Sequence, residues 1–217
     1  MRSVWPLLPL CIVPIAAGAP FSVKQIAGNI FLVQDNGHNE QLTASGIDSM
    51  PAISADGDKV VFVRSGGAGR PDDLCLIYVK HRHVQKPLSI VAPALAADIE
   101  IGSILDPQFS PDSSAVYFLT RAGNFGGIVR VELAPPKSYV VARGAIPIEN
   151  GGAFDVIVRG KYIGDLIVYK DSEKLTAGRL FLYWLIDPYG GNLAIIADKL
   201  NDVNLFRAAT GLEGGAN

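Results

Sequence analysis

Cysteine is scarce in this chain, with two in 217 residues, and the scarcity limits how the fold can be held together. Cys11 lies in an apolar amino-terminal stretch, and Cys75 lies in a second apolar segment, residues 74–79. If the amino-terminal stretch is removed as a leader, Cys75 is the only cysteine left and no disulfide can form within the chain. Stability must then come from packing. Because its neighbours are apolar, we predict that Cys75 is a buried structural thiol rather than a reactive one.

Charged residues are also few, at 18% of the chain, and the formal net charge is -2. With a pI of about 5.9, the chain has no excess of basic residues from which a nucleic-acid-binding face could form. No run of like charges indicates a disordered acidic or basic tail. We therefore expect no nucleic-acid partner.

Long uninterrupted apolar runs are missing beyond the first residues, although 49% of the chain is hydrophobic. The apolar stretches are short, and 23 glycines and 14 prolines lie among them. This pattern of short apolar stretches favours many short strands over long helices. The length is sufficient for one sizeable core in a single domain.

The amino terminus differs from the rest of the chain. Arg2 is followed by an uncharged apolar stretch, residues 4–17, and by small residues at 16–19, as in a secretory signal peptide. Three prolines interrupt the stretch, which makes a stable bilayer span unfavourable. We predict a signal peptide over residues 1–19 and one domain over residues 20–217. The expected location is periplasmic or secreted, without a stable membrane span after processing.

Several well-known catalytic patterns are absent as well. The chain has no Gly-x-Ser-x-Gly nucleophile elbow, no His-Glu-x-x-His zinc motif and no phosphate-binding loop that ends in Lys-Ser or Lys-Thr. The sequence therefore assigns no catalytic residue, no metal ligand and no cofactor-binding residue, and we expect no cofactor. A site assembled from several loops would leave no such pattern.

Histidine is also rare, and its three positions allow two interpretations. His81 and His83 flank Arg82, and in a strand both imidazoles would lie on one face, a spacing found in metal sites. His38 lies in the equivalent turn of the preceding hairpin. We prefer solvated turn residues. Convergence of the histidines with nearby carboxylates would instead favour an enzyme.

What the chain does contain is a seven-residue pattern that occurs twice. The copies are Pro-Ala-Ile-Ser-Ala-Asp-Gly at 51–57 and Pro-Gln-Phe-Ser-Pro-Asp-Ser at 107–113. Each copy leads into an apolar strand, at 60–63 and 116–119, and each follows an acidic residue, Asp48 or Asp106. An internal repeat of this kind indicates a repeated structural unit.

The residues of the motif suit a strand that ends in a tight turn. Ser54 and Ser110 can bond to neighbouring backbone groups. Asp56 and Asp112 suit the turn itself, and the glycine after the first aspartate tolerates a positive φ. We prefer this structural role for both aspartates over a metal-binding or catalytic role.

Four predicted hairpins frame the two motif copies. Their first strands begin near residues 30, 74, 128 and 181. This spacing of about 44 to 54 residues is in or slightly above the range of propeller blades and similar arrays. Inner strand pairs are predicted at 51–64, 107–120 and 154–169, of which the third lacks the Ser-x-Asp pattern. Phe62 and Phe118, in the strands after the motif copies, are predicted core residues.

Residues 29–64, which include Gln-Leu-Thr at 41–43 and the first motif copy, resemble the repeat of TolB-type (WD40-like) β-propellers. Residues 107–133 resemble a second, weaker copy. The resemblance implies an all-β protein built from four-stranded antiparallel blades, and it implies export. We expect about three and a half to four blades by strand spacing, without the six blades and the amino-terminal α/β domain of TolB-type proteins.

Such a short array would leave sheet edges and apolar blade faces open, which invites association. Residues 203–207 could add a strand to the amino-terminal hairpin and close a small ring, which is the solution we favour. The open edges could instead pair between two chains in a homodimer. The strands could also form a distorted open stack.

The sequence favours an exported, non-catalytic TolB-like β-propeller module that binds a protein or peptide partner. The alternatives are a hydrolase or lyase with a site built from loops on one propeller face, and a shortened relic of a longer propeller. Trp184 and Tyr189 could form a platform for a carbohydrate or a peptide. We prefer to interpret them as one core aromatic residue and one edge aromatic residue.

Overall fold

The computed structural model describes residues 21–82, 86–91, 99–122, 125–143, 154–158, 162–171 and 181–197. In these ranges fifteen strands form four antiparallel sheets, and a short 3-10 turn spans Val79–His81. No helix within the same ranges is long and apolar enough to cross a membrane. The predicted all-β class is confirmed.

Each sheet is a meander in which successive strands of the chain pair with one another. The first sheet consists of β1 (Phe21–Ile26), β2 (Asn29–Gln34) and β3 (Asn39–Gln41). The second consists of β4 (Asp48–Ile53), β5 (Lys59–Arg64), β6 (Asp73–Tyr78) and β7 (Leu88–Ser89). The third consists of β8 (Ser103–Phe109), β9 (Ala115–Ala122), β10 (Phe125–Leu133) and β11 (Pro136–Arg143). The fourth consists of β12 (Phe154–Val156), β13 (Leu166–Asp171), β14 (Phe181–Ile186) and β15 (Asn192–Ala197).

The four sheets stack side by side like the blades of a propeller. Strand β4 lies against β1 and β2 on one side and against β8 on the other, so first strands of neighbouring sheets approach one another. Gln108 on β8 continues this contact to the fourth sheet. Its Nε2 donates to the carbonyl oxygen of Phe154 at 3.0 Å, and its Oε1 accepts from the backbone N–H of Val156 at 3.2 Å.

Side-chain alternation fills the spaces between the sheets. On β5, Val60 and Phe62 belong to the core between the first and second sheets, whereas Val61 belongs to the core between the second and third. On β9, Phe118 packs toward the second sheet and Leu119 toward the fourth. Both faces of each central strand are therefore buried, which explains their continuous apolar runs. Phe62 and Phe118 are both 0% exposed, as predicted for core residues.

The array is open within the residues described. The first sheet has three strands where the other sheets have four, and no strand of the fourth sheet pairs with it in these ranges. The predicted signal peptide and the closing segment at residues 203–207 both lie outside the described residues. The expected count of three and a half to four blades matches this arrangement.

The two motif copies begin with the same backbone irregularity. Met50, with φ 49°, precedes Pro51, and Asp106, with φ 51°, precedes Pro107. The pairing register shifts at both places, between Ser49 and Ala52 in one strand and between Leu105 and Gln108 in the other. Each copy therefore enters its strand through a β-bulge.

The bulges also distinguish the acidic residues that precede the two motif copies. Asp106 occupies the bulge position that Met50 occupies in the second sheet, so Asp48 and Asp106 are not equivalent. Asp48 is fully buried and holds Arg64 through two bonds, Nε to Oδ1 at 2.7 Å and Nη2 to Oδ2 at 3.0 Å. The side chain of Asp106 instead accepts a bond from Gln108 at 3.0 Å.

Candidate binding site

The first motif copy forms a hydrogen-bonded turn between β4 and β5. The Ser54 hydroxyl donates to Oδ1 of Asp56 at 2.5 Å and accepts from the backbone N–H of Lys59 at 2.9 Å. The backbone N–H of Asp58 donates to Oδ1 of Asp56 at 3.0 Å. Burial alone would raise the pKa of Asp56, but these bonds and the Lys59 ammonium lower it to about 2.

The second copy repeats these bonds between β8 and β9. The Ser110 hydroxyl donates to Oδ1 of Asp112 at 2.6 Å and accepts from the backbone N–H of Ala115 at 2.9 Å. The backbone N–H of Ser114 donates to Oδ1 of Asp112 at 3.1 Å. Both aspartates therefore have the turn role that the sequence predicted.

The second turn also borders a cavity of about 410 Å³ between the third and fourth sheets, which we name the Arg130 pocket. Its lining includes Asp112, Tyr117, Arg130, Ile163, Pro188 and Tyr189. Three turns meet here: the β8–β9 turn of the third sheet, and the β12–β13 and β14–β15 turns of the fourth. Pockets of this size accept small molecules or parts of a peptide.

Arg130 reaches the pocket because of its place on β10. Val129 and Val131 belong to the core toward the second sheet, whereas Ile128 belongs to the core toward the fourth. Since strand side chains alternate between the two faces, Arg130 shares the face of Ile128 and lies beside the fourth sheet. It is only 7% exposed, which is rare for an arginine without a complete set of partners.

The guanidinium of Arg130 lies between two tyrosine rings. Its Nη1 donates to the Tyr117 hydroxyl, and its Cζ lies 5.2 Å from the centre of the Tyr117 ring and 5.1 Å from that of Tyr189. Cation–π contacts of this kind stabilise a desolvated guanidinium. Two aromatic walls and one hydrogen bond therefore fix the orientation of the charge.

One donor of this guanidinium has no acceptor among the described residues: Nε of Arg130 is buried and makes no hydrogen bond there. Oε1 of Glu132 lies 3.8 Å from it, close enough for electrostatic attraction but too far for a hydrogen bond. Leaving a buried donor unsatisfied costs about 1–3 kcal/mol, and more for a charged group. Arg130 thus lines the pocket with a charge whose buried Nε has no acceptor in the part of the chain that the structure describes.

The mouth of the pocket is apolar and held in place. Tyr189 is 60% exposed and Ile163 is 57% exposed. The Tyr189 ring meets Tyr139 edge to face, with ring centres 5.5 Å apart, and its backbone N–H donates to Oδ1 of Asp187 at 2.7 Å. The next residue, Gly190, has φ 97° and lies so close to β11 that a Cβ would approach the Val141 carbonyl oxygen at 2.8 Å. The turn that carries Tyr189 is therefore packed directly on the third sheet.

One carboxylate interacts with the buried charge, and a second cation lies beside Tyr139. Burial alone would raise the pKa of Asp112. Hydrogen bonds from Ser110 and Ser114, together with attraction to Arg130, outweigh burial, so the pKa is lowered overall. Burial raises the pKa of Tyr117, so its hydroxyl stays protonated at neutral pH. Lys137 lies farther out, with Nζ 4.7 Å from the centre of the Tyr139 ring.

The histidines that the sequence singled out lie elsewhere. His38 is exposed in the turn between β2 and β3, and His81 is exposed at the end of the 3-10 turn after β6. His83 lies outside the described residues. In the part of the chain that is described, no three His, Cys, Asp or Glu side chains come together as metal ligands would.

The remaining predicted side chains have separate places. Tyr189 is at the pocket mouth, but the side chain of Trp184, on β14, lies outside the described residues, so the proposed platform of the two stays a prediction. Cys75 is buried, as predicted, and burial first and the nearby Asp73 second raise its pKa to about 12. Sequence reasoning did not select Arg130, although its position within the alternating apolar pattern of β10 was a usable signal.

No protein-family model and no curated protein matches this chain. Solved structures with a similar fold include the tricorn protease, with a TM-score of 0.56 and 12% identity over 78% of this chain. TolB from Acinetobacter baumannii has a TM-score of 0.50 and 15% identity over 82% of the chain. Dipeptidyl peptidase 4 from Porphyromonas gingivalis has a TM-score of 0.54 and 14% identity over 82%. The chain covers 15%, 40% and 31% of these three proteins respectively, and at such low identity the similarity shows a β-propeller fold alone.

Proposed function

We propose that this chain is an exported, non-catalytic TolB-like β-propeller module that binds a protein or peptide partner at the Arg130 pocket. The observation that carries the proposal is Arg130, a buried cation that lines a pocket with an exposed apolar mouth and whose Nε has no acceptor among the described residues. The fold itself does not select a function, because proteases, peptidases and TolB share it and sites on one fold differ. The hydrolase or lyase alternative stays a prediction.

The residue types at this pocket are those that dominate binding energy in protein interfaces. Tyrosine and arginine are enriched among the few residues whose truncation costs the most affinity. Tyr189 and Ile163 provide exposed apolar surface, and Arg130 provides a desolvated charge whose direction is fixed by Tyr117. A rigid site loses little freedom on binding, which favours affinity.

Peptide display tests the binding proposal. Random peptides displayed with free carboxyl termini would be selected on the immobilised full chain, and the enriched peptides would then be titrated against purified variants. We expect binding to be lost in the double variant Ile163→Asp/Tyr189→Ala and to be retained in Ile26→Asp. Ile26 is a matched control because it is also an exposed apolar residue, at 43%, but lies in the first sheet. Equal binding by both variants, or no enrichment at all, would contradict the proposal.

Export rests on residues 1–19 and has its own test. These residues, fused to an alkaline phosphatase that is active only outside the reducing cytoplasm, should produce activity and a shortened product. Replacing the apolar residues Leu7 and Leu8 with Asp should abolish both effects. Full activity in that variant would refute a signal peptide without affecting the binding proposal.

A further inference from the structure

We propose that the Arg130 pocket binds a carboxylate carried on an apolar group, supplied by the carboxyl-terminal residue of a partner peptide. This inference rests on the proposed function and specifies the chemistry of the partner. It follows from three properties of the pocket: the Arg130 guanidinium in its lining, the charges around this group and the apolar mouth.

The donor geometry favours a planar anion. Nη1 of Arg130 is already bonded to the Tyr117 hydroxyl, whereas Nε is buried and makes no hydrogen bond to the described residues. In a guanidinium, Nε and Nη2 form one edge whose two parallel N–H groups match the two oxygens of a carboxylate. Arg130 lines the pocket, so a ligand carboxylate there would form a charge-assisted bond with its guanidinium.

The surrounding charges favour a single negative charge over a doubly charged group. Asp112 and Glu132 both lie near Arg130, and Asp112 is already engaged by Ser110 and Ser114. A phosphate dianion would be repelled by both carboxylates, whereas a monoanion meets less repulsion for the same hydrogen bonds. Glu132 is then a competitor for Nε, at 3.8 Å, rather than a part of the ligand site.

The apolar mouth of the pocket indicates which kind of chemical group carries the ligand carboxylate. Tyr189 and Ile163 are exposed beside Pro111 and Pro188, so the group attached to the anion meets apolar and aromatic surface. A peptide that ends in an aromatic or large aliphatic residue presents a carboxylate and an apolar side chain on the same carbon atom. Recognition of a terminal carboxylate is also a recurrent mode of peptide binding.

The experiment uses three probes on the full chain, followed by calorimetry. The probes are acetyl-Gly-Gly-Phe with a free carboxyl terminus, the same peptide as its terminal amide, and 3-phenylpropionate. We expect the acid to bind at least about tenfold more tightly than the amide, because the bond to Arg130 needs a charged acceptor. We expect 3-phenylpropionate to bind more weakly than the peptide acid, because it lacks the peptide backbone.

Variants connect the binding to the named residues. Tyr117→Phe/Arg130→Met should abolish binding of the acid while leaving neither hydroxyl nor guanidinium unpaired. Glu132→Gln should tighten binding several-fold, because it removes the competing negative charge. Arg121→Met is the matched control, since Arg121 is an exposed cation on β9 outside the pocket lining, and its binding should be unchanged. Thermal melting of each variant confirms that it is folded.

Each other outcome overturns a defined part of the proposal. Equal binding of acid and amide, or full binding by the Tyr117→Phe/Arg130→Met variant, would refute the carboxylate site. Peptides selected by display would still support the proposed function in that case. Binding of 3-phenylpropionate as tight as that of the peptide acid would refute a peptide terminus as the source and indicate a small free acid. No binding by any probe, with display also negative, would refute both proposals.

Discussion

Two equivalent positions in neighbouring sheets are filled in opposite ways. Val61 on β5 pairs with Leu76 on β6, and Tyr117 on β9 pairs with Arg130 on β10. Val61 and Tyr117 each lie seven residues after the motif serine of their own sheet. The apolar pair belongs to the core between the second and third sheets, whereas the polar pair borders the Arg130 pocket between the third and fourth.

This fold does not require a charge at the Arg130 position. The same register position is filled by leucine one sheet earlier, and the sheets still stack. Buried charges are often replaceable by apolar residues of similar size without loss of stability. Stacking of the sheets therefore does not explain why this position holds an arginine. This points to a binding role for Arg130.

The largest effect is expected where the two sheets are alike. Phe62→Ala and Phe118→Ala remove equivalent, fully buried rings, and each should lower the free energy of unfolding by about 3–5 kcal/mol. Chemical denaturation of both variants would measure it. Similar losses would confirm that the sheets are equivalent away from the pocket. A loss near zero in either variant would remove that phenylalanine from the core.

A second pair of variants tests the positions where the sheets differ. Arg130→Met alone should lower the free energy of unfolding by about 1–3 kcal/mol, because it leaves the buried Tyr117 hydroxyl without its bond to the guanidinium. Adding Tyr117→Phe removes that hydroxyl, so the double variant should be at least as stable as the natural chain. Urea denaturation distinguishes these cases. A double variant as unstable as the single one would show that the polar pair stabilises the fold.

Exchanging the equivalent residues of the two motif turns should have a smaller effect on stability. Gly57 has φ 71°, and Ser113 has φ 58° at the equivalent position, where a side chain is strained. Gly57→Ser should lower the free energy of unfolding by about 1 kcal/mol, and Ser113→Gly should raise it by a similar or smaller amount. Melting temperatures of the two variants should therefore move in opposite directions. A shift in the same direction would mean that the turns are not equivalent.

The fold was predictable because its signals are local. The Ser-x-Asp turn, the apolar strand after it and the alternation that buries Phe62 and Phe118 all lie within one short segment. The bulges before Ala52 and Gln108 were not predictable in this way, because the register changes there through contacts that spacing along the chain does not specify.

The site was less predictable because it joins distant segments. Arg130, Ile163 and Tyr189 meet only through the stacking of the third and fourth sheets, which no spacing along the chain reveals. The sequence did offer one sign, an arginine on β10 where the preceding sheet has Leu76. A charged residue at a position that its apolar neighbours mark as buried indicates a functional role, since burying a charge without a partner costs free energy.

The smallest effect concerns the two motif aspartates and depends on pH. Ionised Asp56 stabilises the fold fully above its unfolded pKa of 3.8, and this contribution is lost as the pH falls through about 2. Asp56→Asn should therefore melt at a lower temperature than the natural chain at pH 7, and the gap should narrow as the pH falls below 4. Asp112→Asn should behave in the same way, because its pKa is also lowered in the folded chain.

Binding measurements should distinguish Asp56 from Asp112, whereas stability measurements should not. Asp56 lies in the second sheet, away from the Arg130 pocket, so Asp56→Asn should bind acetyl-Gly-Gly-Phe as the natural chain does. Asp112 lines the pocket beside the guanidinium, and Asp112→Asn should tighten binding because it removes a negative charge that competes for Arg130. Calorimetry at pH 7 measures both. If Asp56→Asn weakened binding strongly, the first motif turn would be part of a binding site and the contrast between the two sheets would fail.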